Sequence, residues 1–144
     1  MRAHAGGRTA NLITAARGAK VAAVANRPFW LVEAGVYNTT DIEVAVALRR
    51  ATAVGTGGTA LDEINADDPA ATVDATGINV PTADDTVAAG EYARATLGAA
   101  KGAGAVWTFG KNGLYCPAGT SNAIGIYLAT GTAQHLDFYF IWDG

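Results

Sequence analysis

The closing stretch of the chain constrains the fold more than any other. From Gln134 to Asp143, the residues Leu136, Phe138, Phe140 and Trp142 alternate with Asp137, Tyr139 and Ile141. A repeat of two residues is the signature of a strand, because successive side chains point to opposite faces of a sheet. Both sets contain apolar residues, so this strand is expected to lie centrally in a sheet or against a second subunit. Ala123–Thr130 repeats the alternation with Ile124, Ile126 and Leu128, and Gly131-Thr132-Ala133 reads as the turn between the two runs. Ala123–Trp142 is therefore expected to form a β-hairpin.

The same period recurs upstream. In Asp41–Thr52, Ile42, Val44, Val46 and Leu48 alternate with Glu43, Ala45, Ala47 and Arg49. Further strands are expected at Phe29–Tyr37, Val87–Leu97, Ala105–Phe109 and Gly113–Cys116, with glycine turns at Gly98–Gly104 and Gly110–Gly113. About seven short strands, with turn signals every ten residues or so, imply an all-β antiparallel sandwich or barrel. Helix signals are scarce. Asn11–Ala25 has the alanine for a helix, but Gly18 interrupts it and an extended arm fits equally well. Thr59–Asn65 could form one helical turn before Asp67-Asp68-Pro69. No repeat of solenoid or propeller length is present.

Aromatic residues mark where the core should be. Eight of the twelve fall between Trp107 and Trp142, and none occurs from Asn38 to Glu91. The packed body is thus expected from residues 29–52 and 86–142. A length of 144 residues is that of one domain, able to bury a core without metals or disulfides. No apolar run approaches the roughly 18 to 20 residues that span a bilayer, so a soluble chain is expected. Of the 72 hydrophobic residues 32 are alanine, and charged residues make up only 16%. Such a composition suits flat packing surfaces more than catalysis.

Charge is distributed unevenly. Arg2, Arg8, Arg17, Lys20 and Arg27 precede the first acid, Glu33, so residues 1–32 stand at +5. The remainder holds five basic and thirteen acidic groups, or −8, with eight of the acids between Asp62 and Glu91. The expected organisation is a basic, alanine-rich N-terminal arm at 1–28 on a β-sandwich domain at 29–144, with an acidic loop excursion at about 53–85. Arms of this sign bind nucleic acid or an acidic protein surface. The basic residues here are spread singly and not in blocks, so the expected partner is protein, in cis or in trans, and no nucleic acid or membrane. Arg17 and Lys20 break the apolar core that a signal peptide needs, although an Arg- and Ala-rich start also resembles an organellar transit peptide.

Few residues here carry chemistry. Gly104 to Gly110-Lys111-Asn112 has one residue too many for a phosphate loop and lacks its hydroxyl. Gly55-Thr56-Gly57-Gly58 is a flexible loop with no helix after it to make a dinucleotide fingerprint. A Ser-His-Asp triad would need Ser121, His135 and Asp137, and a thiol pair would need Cys116 and His135. Each has a plainer reading, Ser121 closing a turn and Cys116 as a small apolar residue before Pro117. The single cysteine excludes an internal disulfide and a multi-cysteine zinc site. Asp62–Asp74 lacks the spacing of a calcium loop and reads as a solvated acidic stretch. Asn38-Thr39-Thr40 is a formal glycosylation sequon, and Trp30, Trp107 and Trp142 are better placed in a core than on a sugar site. No catalytic, cofactor-binding or metal residue is therefore expected, and no enzyme.

The run Gly113-Leu114-Tyr115-Cys116-Pro117-Ala118-Gly119-Thr120, then Ala123–Leu128, then Gly131-Thr132-Ala133-Gln134 and Leu136–Asp143 resembles the small jelly-roll-like decoration, or cement, proteins of tailed-bacteriophage capsids. Arg49-Arg50-Ala51-Thr52, the glycine-rich 55–60 and the acidic segment after it fit the loop that follows their second strand. The resemblance covers about 29–143 and implies a jelly-roll sandwich of about 7–8 strands. It also implies a virion protein, present in the host cytoplasm during assembly, that binds the outer surface of the major capsid protein, as a homotrimer, and fastens neighbouring capsomers. On that reading Arg8, Arg17, Lys20 and Arg27 would meet acidic groups of the capsid or a neighbouring subunit, with Tyr139 and Ile141 at a subunit contact. Deleting 1–28 would leave a folded β domain unable to bind. The rival readings are a receptor- or glycan-binding tip of a phage tail or fibre, and a hydrolase of unrecognised type.

Overall fold

A computed structural model describes all 144 residues. The chain is all-β, with eleven strands in two antiparallel sheets and no helix. In order they are β1 (Arg2–Arg8), β2 (Ala19–Ala22), β3 (Phe29–Asn38), β4 (Val44–Ala53), β5 (Ile64–Asn65), β6 (Thr76–Ile78), β7 (Thr86–Leu97), β8 (Gly104–Thr108), β9 (Leu114–Cys116), β10 (Ala123–Gly131) and β11 (Leu136–Asp143). One sheet runs β5-β1-β11-β3-β8, with β9 on the end of β3, and the other runs β6-β2-β10-β4-β7. All seven strands expected from periodicity are present, and β1, β2, β5 and β6 are additional.

Eight of the strands have four or more residues, and they pair as a folded ribbon. β1 pairs with β11, β2 with β10, β3 with β8 and β4 with β7, all antiparallel. The first half of the chain therefore lies against the second half in reverse order, and the ribbon wraps so that its legs alternate between sheets. This is the winding of a jelly roll. Residues 54–85 lie near the tip of the ribbon, between β4 and β7. They return along its open side, where β5 extends one sheet beyond β1 and β6 extends the other beyond β2. Both edges on that side are thus capped by two- and three-residue strands, a common way of blunting a sheet edge.

Two expectations fail, each for a physical reason. Residues 1–28 are no arm, because β1 and β2 occupy interior positions in the two sheets. Ala3, Ala5, Ile13, Ala19, Val21 and Ala23 belong to the main core alongside Phe29, Phe140 and Trp142. Alanine on the inner face of a strand gives a weak hydrophobic signal, yet it fits where two sheets approach closely. Second, β10 and β11 do not form a hairpin but lie in opposite sheets. Residues 132–135 cross between layers, so Ile124 and Ile126 face Phe138 and Phe140 across the core instead of sharing one sheet face. Alternation reveals which face of a strand is buried and says nothing of its partner. The expected central position of the last strand is observed, with β1 on one side and β3 on the other.

Candidate interaction surface

The sheet registers assign one set of side chains to the outside of the β5-β1-β11-β3-β8 sheet. On β11 the inward residues Leu136, Phe138, Phe140 and Trp142 are buried, while Asp137, Tyr139, Ile141 and Asp143 face out and are half-buried. Across the sheet they form rows. Arg8, Asp137, Tyr37 and Gly104 make one row, and Gly6, Tyr139, Gly35 and Val106 the next. Ile64, His4, Ile141 and Glu33 make a third, and Arg2, Asp143, Trp30 and Tyr115 the last. Four of the seven exposed large apolar side chains in the molecule, Trp30, Ile64, Val106 and Tyr115, lie on this one face. It is the natural candidate for contact with a partner.

Glycine makes the face flat. A Cβ on Gly35 would lie 2.1 Å from Tyr139 Cε1, and one on Gly6 would lie 3.0 Å from Tyr139 Cβ. The Tyr139 ring therefore lies over Gly35 on β3, with its hydroxyl donating to Glu33 Oε2 at 2.7 Å, while Gly6 on β1 sits against the Tyr139 Cβ and the Phe138 carbonyl oxygen. Tyr37 covers Gly104 in the same manner, where a Cβ would meet Tyr37 Cδ1 at 2.2 Å. Aromatic cover of strand glycines restores packing that the missing side chains would otherwise forfeit. Burial, with help from Glu33, pushes the Tyr139 phenol well above its ordinary value. At the β9 end, Trp30 and Tyr115 stack at a tilt, with centroids 5.5 Å apart. Two bidentate ion pairs tie β1 to β11 along this face, Arg2 to Asp143 with both contacts at 2.9 Å, and Arg8 to Asp137 at 2.7 and 3.1 Å.

The basic N-terminal residues find their acids within the same chain. Besides Arg2 and Arg8, Arg17 meets Asp84 at 2.7 Å, Lys20 meets Asp85 at 2.9 Å and Arg27 meets Asp74 at 2.6 Å. Three of the five partner acids come from the acidic excursion and two from β11. The +5 and −8 halves are thus complementary in cis, stitching the first strands to the excursion and to the last strand. Lys20 is fully buried and unavailable to any other subunit. Arg8, Arg17 and Arg27 remain partly exposed but already paired, while Tyr139 and Ile141 lie together on the outer face. The aromatic pair Trp30 and Tyr115 was not legible as a site, since neither lies near the other in sequence.

The remaining candidate chemistry is dispersed. Ser121 precedes β10 and His135 follows it, so a nine-residue strand separates them, a span of about 30 Å. Cys116 pairs with Phe29 at the start of β3, whereas Leu136, next to His135, pairs with Asn38 at its end. His135 Nδ1 sits 2.8 Å from the Thr9 carbonyl oxygen. Burial pushes the Cys116 thiol up to about 11. In the acidic excursion, Glu63 accepts the Gly77 N–H, Asp67 the Arg2 N–H and Asp68 the Ala70 N–H. Asn38 of the sequon is buried, donating to the Ile42 and Gly98 carbonyls. A shallow depression of about 250 Å³ lies beside β7, lined by Arg50, Ala88, Gly90, Glu91 and Tyr92. Comparison with protein-family models, with curated proteins and with solved structures finds no match to this chain.

Proposed function

We propose that this chain is a structural, non-enzymatic protein of a tailed-phage particle that binds the outside of the capsid and fastens neighbouring capsomers. The outer face of β1, β11 and β3 is its contact surface. The observation that carries this reading is the flat aromatic and aliphatic face on which the Tyr139 ring lies over Gly35 and the Tyr37 ring over Gly104. A sheet surface levelled by glycines, with apolar residues between two rigid ion pairs, suits broad contact with another protein more than enclosure of a small ligand. The jelly-roll winding and the resemblance of residues 29–143 to capsid cement proteins support the same reading. In this account the N-terminal basic residues hold the fold, and the capsid contact passes to Tyr139, Ile141, Trp30 and Tyr115. Self-association into a trimer on the major capsid protein belongs to the proposal.

The test is co-expression with the major capsid protein of the same genome, followed by sedimentation of assembled shells. The wild-type chain should travel with the shells. Ile141→Asp combined with Tyr115→Ala should abolish that at least tenfold, with the circular dichroism spectrum unchanged, since central apolar contacts carry most interface energy. Failure of the wild-type chain to sediment, or full retention of the double variant, would contradict the proposal. The Trp30–Tyr115 pair also favours a second reading, a glycan-binding particle protein, because tilted exposed rings beside Asp143 and Arg2 suit the apolar faces and hydroxyls of a sugar. Selective binding on a glycan array, lost in Trp30→Ala, would favour it.

A further inference from the structure

Lys20, Asp85 and Tyr127 form a closed polar cluster on the outer side of the β6-β2-β10-β4-β7 sheet, away from the proposed contact face. The Lys20 and Asp85 side chains have no exposure to solvent, and Tyr127 is equally buried. Two peptide segments cover them, joined where the Asp85 N–H donates to the Ala16 carbonyl at 2.8 Å. Gly125 creates the space. A Cβ there would stand 2.9 Å from Lys20 Cβ and 3.1 Å from Tyr127 Cε2.

Within this enclosure an amine and a carboxyl group are held side by side. Lys20 Nζ lies 2.9 Å from Asp85 Oδ2, close enough for charge contact but not aligned as a hydrogen bond. The Tyr127 hydroxyl donates to that same oxygen at 2.7 Å. The Gly55 N–H donates to the other oxygen, Oδ1, at 2.6 Å. Removing an ammonium from water disfavours its charged form. Burial accordingly pushes the Lys20 amine below its ordinary value, toward the form that carries a lone pair.

We propose that Lys20 and Asp85 condense to an intramolecular amide, joining Nζ to Cγ with loss of one water. A proton first passes from the ammonium to the carboxylate, which leaves a neutral amine beside a carboxylic acid. The Nζ lone pair attacks Cγ, and charge collects on Oδ1, which the Gly55 N–H already faces as an oxyanion donor. Oδ2 carries the proton received from lysine. It takes a second from Nζ through the Tyr127 hydroxyl, so the Cγ–Oδ2 bond breaks with water as the leaving group and tyrosine ends as it began. Ammonium plus carboxylate thus give amide plus water, with no oxidant, reductant or co-reactant. Fixed proximity in a dry site supplies what the same two groups lack in solution. The product ties β2 to the residue before β7 and closes a covalent loop around the acidic excursion.

The test is the intact mass of the purified full-length chain, measured under denaturing conditions after prolonged incubation of the folded protein, with peptide mapping. The expected result is a mass lower than that of the sequence by one water, with a linked peptide pair containing Lys20 and Asp85. Lys20→Arg and Asp85→Ala should each show their full sequence mass. Tyr127→Phe should form the bond more slowly by a factor on the order of a hundred, the usual effect of losing a positioned proton donor. Full sequence mass in the wild-type chain, or a water loss mapped to other residues, would overturn the proposal. An unchanged rate in Tyr127→Phe would overturn the proton relay assigned to Tyr127. The wild-type reading stands by itself if a variant fails to fold, and it is independent of any capsid role.

Discussion

Gly35 exerts its influence through the ring that lies on it. Its φ is not in the left-handed region, so the demand for glycine is one of space. Gly35→Ala would push a methyl group into Tyr139 from the middle of β3, between β11 and β8. We expect a loss of about 1–3 kcal/mol, the range for overpacking a filled site, read as a lower denaturant midpoint with an unchanged slope. Gly7, one residue from Gly6, has open space at its Cβ. Gly7→Ala should therefore be close to neutral, and the contrast separates crowding from any general effect of replacing glycine in a strand. Neither behaviour could be read from the sequence, where Gly6-Gly7 is simply a flexible pair. What distinguishes them is the space at each Cβ, since one on Gly6 would meet the Phe138 carbonyl oxygen at 2.8 Å and one on Gly7 would meet nothing, and that is a property of the folded sheet.

Among the elements, β1 departs most from what periodicity suggests. Its inward residues are Ala3 and Ala5, and its outward ones are Arg2, His4, Gly6 and Arg8, so no large apolar side chain announces a strand. The seven later strands carry Val, Ile, Leu or aromatic residues at alternate positions and were legible for that reason. Strand pairing was less so, because a turn such as Gly131–Ala133 serves a hairpin and a layer crossing equally well. Since β1 covers β11 and β2 covers β10, removing residues 1–28 should destroy the fold and not merely unload an arm. The truncated chain is expected to show no cooperative thermal transition, and a sharp transition near that of the full chain would contradict the assigned pairing.

The β1 to β11 pairing also carries a pH signature. Arg8 and Arg2 hold the Asp137 and Asp143 carboxyls below their ordinary value, chiefly by hydrogen bonding. A group whose folded value is depressed adds stability that is complete above the ordinary carboxylate value of about 4. That contribution is lost as pH falls through the lower folded values. Asp137→Asn with Asp143→Asn should lower the melting temperature modestly at pH 7, since both pairs are water-exposed and screened. The difference from wild type should vanish at low pH. A gap that persists unchanged to the acid limit would mean that these pairs do not contribute through charge.

For the molecule as a whole, the folded ribbon explains why the two outer faces differ. The excursion and residues around Ala16 close over part of the β2 and β10 side, burying Lys20, Tyr127 and Asp85. The β1, β11 and β3 side stays open and carries most of the exposed large apolar residues. The uneven charge along the chain is consumed in making that asymmetry, since each N-terminal cation pairs with an acid of the excursion or of the last strand. This leaves an open face that carries exposed apolar residues, with Arg2 and Arg8 each paired to an acid of β11 and Glu33 held by the Tyr139 hydroxyl. The most direct measurement is electron microscopy of the native particle encoded by the same genome. Density for this sandwich is expected on the outer surface of the capsid, with Tyr139, Ile141, Trp30 and Tyr115 against the shell or a neighbouring copy. Particles without that density, or with the open face turned to solvent and no neighbour, would contradict the proposal.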